Sequence, residues 1–230
     1  MRPIPAQSHR SDRASRRLSS TPEPSTLDEI DDHGLLCLLL DRSLSGPPIN
    51  TVAADLIDRF GTLEDIVAAD LPELSRIAGL GPTAILDLKL LRQLCIRLTR
   101  STACARPVLS SWNALVAYAR VTLAHSPREQ FRALFLDRRN ILMRDELVAD
   151  GSVDHAPVYP REVIRRALEL SASALILVHN HPSGDPSPSQ ADITVTRQII
   201  EAAKVFGLQV HDHLIVGREG TASFRTLGLI

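Results

Sequence analysis

Apolar and polar positions along the chain change their period near residue 100. From Thr26 the spacing is helical: Thr26-Leu-Asp-Glu29 has the form of a capping box and leads into the stripe Leu35, Leu36, Leu38, Leu39. Asn50 or Thr51 should open a second helix that ends at Phe60 before Gly61, and Thr62 should cap a short third through Ala69. Leu71-Pro-Glu-Leu-Ser-Arg-Ile77 and the tight turn Gly79-Leu-Gly81 follow. Pro82 then occupies the favoured first turn of a long helix to about Arg100. No strand-period segment interrupts residues 26–100, so they are predicted to form an all-helical domain. Residues 101–107, Ser-Thr-Ala-Cys-Ala-Arg-Pro, read as a linker.

Beyond the linker, helices mix with strands. Ser111 should cap a helix to about His125, and residues 131–136 and 141–148 read as two strands joined in a hairpin at Asp137-Arg-Arg-Asn140. An amphipathic helix is expected from Pro160 to Leu170, and Ala174-Leu-Ile-Leu-Val178 reads as a buried strand. Ser189 should open a helix that stops at Gly207, with last strands at 210–216 and 222–227. This grammar predicts an α+β (mixed α/β) layered domain over residues 108–230 behind a small all-α domain. The second domain, carrying its own strands and covering helices, is expected to fold without the first.

Composition narrows the function classes. The net charge of -1 gives no chain-wide attraction to nucleic acid or anionic lipid. The longest apolar runs, 35–40 and 174–178, fall far short of the ~20 residues of a membrane helix. Cys37, Cys95 and Cys104 are odd in number and form no C-x-x-C pair, which favours a reducing, cytoplasmic location over a disulfide framework. Residues 1–25, with five Arg against Asp12 and Glu23, read as a basic disordered tail.

The chemistry is concentrated after the buried strand, in His179-Asn-His181-Pro-Ser-Gly-Asp-Pro-Ser-Pro-Ser189-Gln-Ala-Asp192. Two imidazoles at i and i+2 on a strand end project to one side, and the loop can fold Asp192 back to meet them. Two nitrogens and one oxygen suit Zn²⁺ and leave a fourth tetrahedral position free, the arrangement of a catalytic rather than a structural site. Ser189-Gln-Ala-Asp192 is equally a helix capping box, and H-x-H alone is weak evidence of a metal.

The whole string is more specific. H-x-H-P, six residues, S-x-x-D resembles the motif of the JAB/MPN (JAMM) metalloproteases, and the fuller His-Asn-His-Pro-Ser-Gly-Asp-Pro-x-Pro-Ser pattern is similar to the RadC family. Residues 131–137, 151–154, 158–162 and 210–217 extend the likeness over most of 108–227, and the helical segment around Gly79-Leu-Gly81 resembles that family's N-terminal domain. The resemblance implies a zinc held by His179, His181 and Asp192, with Ser189 polarising a carbonyl, and amide hydrolysis of a protein or peptide. It also implies an upstream general base. Glu129, 50 residues before His179 at the start of the first strand, matches the family's placement, and Glu146, 33 residues before it, is the alternative.

A second class is a DNA repair or recombination factor whose second domain is a non-catalytic scaffold. The Gly79-Leu-Gly81 turn resembles a helix-hairpin-helix, which can present backbone N–H groups to a DNA phosphate, and the basic tail is another possible DNA contact. Residues 26–100, however, carry seven Lys/Arg against twelve Asp/Glu, a net -5, which opposes tight phosphate binding. A second H-x-H, His211-Asp-His213, lacks the downstream Ser and Asp and is read as a strand element, with His213 or Asp212 available to orient a ligand.

Overall fold

The computed structural model describes residues 24–44, 48–104, 107–151 and 158–230. Residues 1–23 of the basic tail expected over 1–25, linker positions 105–106 and the family-like stretch 152–154 lie outside the described residues.

The helical part begins later than the Thr26 box predicts. Residues Pro24–Glu29 form only a 3-10 turn, and α1 (Asp32–Leu40) starts where the extended Asp31 accepts the Gly34 N–H at 2.8 Å. α2 (Ile49–Phe60) ends at Gly61, whose φ of 90° suits a residue without Cβ. Thr62 caps α3 (Leu63–Ala68) as expected by accepting the Asp65 N–H. After the one-turn α4 (Leu71–Leu74), α5 runs over Pro82–Cys104. Leu36, Leu40, Leu56, Ile66, Leu74 and Leu88 close one core among these helices.

α5 outruns the predicted end at Arg100, so residues 101–104 are helix rather than linker. No Gly or Pro stops it before Pro107, and the Thr99 and Thr102 hydroxyls bond back to carbonyls one turn earlier. Its last turn is also anchored. Ala103 is fully buried in the next core, with Ile96 and Cys104 packed against it.

That core belongs to a five-stranded sheet. α6 (Trp112–Leu123) precedes the antiparallel hairpin of β1 (Gln130–Leu136) and β2 (Leu142–Asp150). α7 (Pro160–Glu169), β3 (Ala174–Asn180), α8 (Gln190–Val205), β4 (Gln209–Val216) and the short β5 (Thr221–Ser223) complete it. The order is β2-β1-β3-β4-β5, with β3 and β4 parallel and the other pairs antiparallel. β3 is central and buried along its whole length, which is why it reads as a continuous apolar run. Leu134, Ile176 and Val178 face α6 on one side, while Phe131, Ala133 and Leu177 face α7 and α8 on the other. The fold class is α+β, with the helical unit N-terminal.

β5 is shorter than the strand expected over 222–227. The buried Asp212 carboxylate accepts the Ser223 hydroxyl and the Arg225 N–H, and these bonds turn the chain out of the sheet. Among the described residues no helix is long and apolar enough to cross a membrane.

Because α5 contributes to both cores, the smallest self-sufficient C-terminal fragment should begin inside it. Residues 108–230 alone lack Ala103 and Ile96, whereas a fragment from Lys89 keeps both. Thermal unfolding of the two should place the shorter one lower by several degrees, since lost core contacts of this kind cost about 1–3 kcal/mol. Equal midpoints would make 108–230 an independent domain.

Candidate metal centre

The parallel arrangement of β3 and β4 places the end of β3 beside the start of α8. His179, stacked on Phe131, shares the α8 face of β3 with Leu177, and by strand alternation Val178 and Asn180 point to the α6 face. His181 follows the strand directly and is held by its N–H to the Val216 carbonyl at 3.0 Å. The loop after it is braced by the β4–β5 turn: Arg218 donates to Pro182 O at 3.0 Å and Glu219 N–H to Gly184 O at 3.1 Å. Gly217 sits so close that a Cβ there would lie 2.0 Å from the Gly184 carbonyl oxygen. Gly184 itself has a φ of 100°.

The capping box at the start of α8 is present, and it aims the third residue. Asp192 Oδ2 accepts the Ser189 N–H at 2.8 Å and the Ser189 hydroxyl at 2.6 Å, and Ser189 Oγ accepts the Asp192 N–H at 3.2 Å. Cap and ligand set are therefore one arrangement. Asp192 Oδ1 comes 3.2 Å from His179 Nε2, and Oδ2 comes 3.5 Å from His181 Nε2. The two Nε2 atoms are 2.9 Å apart. His179, His181 and Asp192 could together hold a metal ion. Their side chains are 1%, 18% and 13% exposed, so the site opens to solvent on the His181 side.

The protons around the site can be placed by counting. Thr196 Oγ1 lies 2.5 Å from the Asp192 carbonyl, which only accepts, so the single hydroxyl proton goes there. The same oxygen, 2.6 Å from His213 Nδ1, must then accept an N–H from it. Burial pushes the His213 pKa well below its ordinary value, so the ring is neutral and its Nε2 carries a lone pair. That lone pair accepts His179 Nδ1–H at 2.8 Å, which leaves His179 Nε2 bare and turned into the site. His181 Nδ1 donates to Asp185 O at 2.8 Å, leaving its Nε2 bare as well. Two lone pairs at 2.9 Å repel unless a cation lies between them or one takes a proton. Hydrogen bonding to Asp192 raises the His181 pKa. For Asp192, burial alone would raise the pKa, but the neighbouring imidazoles of His179 and His181 and the Ser189 hydroxyl outweigh it and hold the carboxyl far below the usual range.

Glu129 stands just before β1, on the α8 side, and its charge acts to raise the His181 pKa. It lies outside the ligand cluster. Glu146 is elsewhere: its carboxylate forks onto Arg166 of α7 at 2.7 and 2.6 Å, which holds its pKa down. The second H-x-H divides. His213 reaches His179, His211 bonds to Asn140 at 2.6 Å at the far end of the sheet, and Asp212 holds the C-terminal turn.

Two residues of the site were not singled out in the sequence. Thr196, one helical turn after Asp192, is fully buried under His213, and that i, i+4 spacing was its signal. Asn180, between the two histidines, is also fully buried. Its amide accepts the Gln130 N–H at 2.9 Å and donates to Arg128 O at 3.0 Å, so it clamps the backbone on both sides of Glu129.

Comparison with known proteins agrees with this construction. The RadC-like JAB domain profile matches residues 109–229. A UPF0758 protein of Rhodobacter capsulatus is 51% identical over 203 residues, which is 88% of this chain and 95% of the relative. With that profile covering more than half of its length and a relative matched almost end to end, the chain belongs to the RadC family.

Proposed function

We propose that the chain is a zinc-dependent hydrolase that cleaves an amide bond of a protein or peptide by JAMM-type chemistry. The observation that carries this reading is the convergence of His179 Nε2, His181 Nε2 and the Asp192 carboxylate. Regular tetrahedral coordination with bonds of about 2.0–2.1 Å spaces ligand atoms about 3.3–3.4 Å apart, and the separations of 2.9, 3.2 and 3.5 Å bracket that value. Asp192 is held ionised, as a metal ligand must be, and metal uptake would displace any proton shared between the two imidazoles. Zinc, when bound, supplies Lewis acidity and lowers the pKa of its water toward 7.

The chain's own residues supply the rest. Glu129 takes the proton of the attacking water and returns it to the departing amine nitrogen, so the acid and base steps balance on one carboxyl. Asn180 fixes the segment that carries it. Ser189, exposed at the mouth of the site, turns its hydroxyl from Asp192 Oδ2 toward the substrate carbonyl as negative charge develops there. Thr196 and His213 keep His179 in the tautomer that presents Nε2. Free thiols at Cys37, Cys95 and Cys104 support a cytoplasmic setting.

Metal analysis of the purified protein should find about one zinc per chain, falling to a trace in His181→Ala. Digestion of a peptide library should be chelator-sensitive and absent in the same variant. Equal zinc in both proteins would remove the site from consideration. A salt-dependent DNA affinity indifferent to His181→Ala, in a protein without zinc or hydrolysis, would favour the scaffold reading instead.

A further inference from the structure

The charge of the helical part is not evenly spread. Residues 26–100 are acidic overall, yet three of their seven basic side chains, Arg92, Arg97 and Arg100, line a single cavity of about 570 Å³. The cavity lies at the seam between α5 and the start of β1, and Arg128 and Arg132 contribute from the sheet side. Five arginines thus meet only Asp70 and Asp150 in its lining, an excess of three positive charges.

The arginines differ in what they already hold. Arg132 is paired with Asp145 at 2.7 Å, and Arg128 is 3.5 Å from Asp70. Among the described residues, no carboxylate comes within 4 Å of Arg92, Arg97 or Arg100. Among the described residues the Arg92 guanidinium donates only to the Thr122 carbonyl, at 3.1 Å, and burial pushes its pKa down although Asp70 opposes this. Three guanidiniums gathered in a partly enclosed space, outnumbering the two carboxylates of its lining and paired with neither, form a focused positive field.

The spacing selects the anion. Arg92 to Arg100 covers about 12 Å along the axis of α5 at 1.5 Å per residue, and Arg97 and Arg100 are neighbours at i, i+3. A lone phosphate or carboxylate would engage one end of that row, whereas an anion with charges along its length engages all of it, each guanidinium gripping two oxygens. A nucleic-acid strand fits less well. Tyr118 is the one aromatic residue in the lining, and its hydroxyl is bonded to Asp145, so no platform for stacked bases is present.

We propose that the cleft between α5 and β1 binds a linear polyphosphate, either free or as the tail of a nucleotide. Because the sheet turns this cleft and the metal centre to opposite faces, the site is separate from the hydrolytic one.

Titration calorimetry of the full chain with inorganic tripolyphosphate and with a nucleoside triphosphate tests this. Saturable 1:1 binding is expected, weakened at least tenfold in Arg97→Ala/Arg100→Ala and in Arg100→Glu, whose side chains are exposed and contribute to neither core. It should be unchanged in His181→Ala, which separates the cleft from chelation of a metal by the phosphates. Equal affinity for the two ligands assigns the free polyphosphate, and tighter nucleotide binding assigns the nucleotide. Either result supports the site. Absence of saturable binding at 50 mM salt, binding indifferent to both arginine variants, or loss in His181→Ala alone would overturn it. So would a preference for a single-stranded oligonucleotide over tripolyphosphate.

Discussion

Glu129→Gln is expected to lower amide hydrolysis by about 10²–10⁴-fold while the protein keeps one zinc per chain. The substitution preserves shape but removes the group that takes a proton. It leaves the ligands untouched because Glu129 lies outside the cluster of His179, His181 and Asp192. Its backbone is fixed independently of the side chain, by Gly151 N–H donating to Glu129 O at 2.9 Å and by the Asn180 amide on either side. Glu146→Gln is the control. It should hydrolyse normally, since that carboxylate is occupied by Arg166 of α7. Rates and metal content measured on both variants decide the matter, and an inactive Glu146→Gln beside a normal Glu129→Gln would reverse the assignment.

Asp192→Ala is expected to do two things that Ser189→Ala does not do together. It should abolish stoichiometric zinc, with affinity reduced by more than the 10–100-fold typical of losing a group behind the ligands. It should also weaken the start of α8, because the same carboxylate accepts the Ser189 N–H, and loss of a helix cap costs about 1 kcal/mol. Ser189→Ala removes the other half of the cap and should lose a similar amount of stability while retaining zinc. Its hydrolysis should fall by about 10²–10³-fold if the hydroxyl stabilises the developing oxyanion. Competition with a chromophoric chelator and thermal unfolding separate the two effects. Zinc retained at wild-type affinity in Asp192→Ala would reduce that residue to a helix cap.

The convergence of His179, His181 and Asp192 was legible because its information is local: strand parity puts His179 on one face, and the capping box at Ser189, after a short loop, returns Asp192 to it. Element types were legible for the same reason, with β3 visible as an unbroken apolar run. What escaped was set by tertiary partners. The start of α1 was misplaced because Asp31 and Thr26 both offer a cap, and only the packing of the helical core chooses between them. The end of α5 was misplaced because Ala103 is as compatible with a linker as with a buried helix, and its burial depends on the core that α6 and the sheet form after it. His213 could be suspected from its spacing, but its link to His179 follows from the parallel register of β3 and β4, which no local pattern encodes. Thr196 and Asn180 were silent because a hydroxyl and an amide look like ordinary helix and turn residues until their partners are known.

The close approach of Gly217 to the Gly184 carbonyl has a thermodynamic consequence. A loop pinned at one end by β3, at the other by the cap of α8, and in the middle against the β4–β5 turn has little conformational freedom left to lose. Ion uptake should therefore bury little new apolar surface and show a heat-capacity change near zero, unlike small metallo-domains that fold only as the metal binds. Exchange of the ion should then be governed by access from the His181 side and by proton release, and a chelator is expected to strip it from a protein that stays folded.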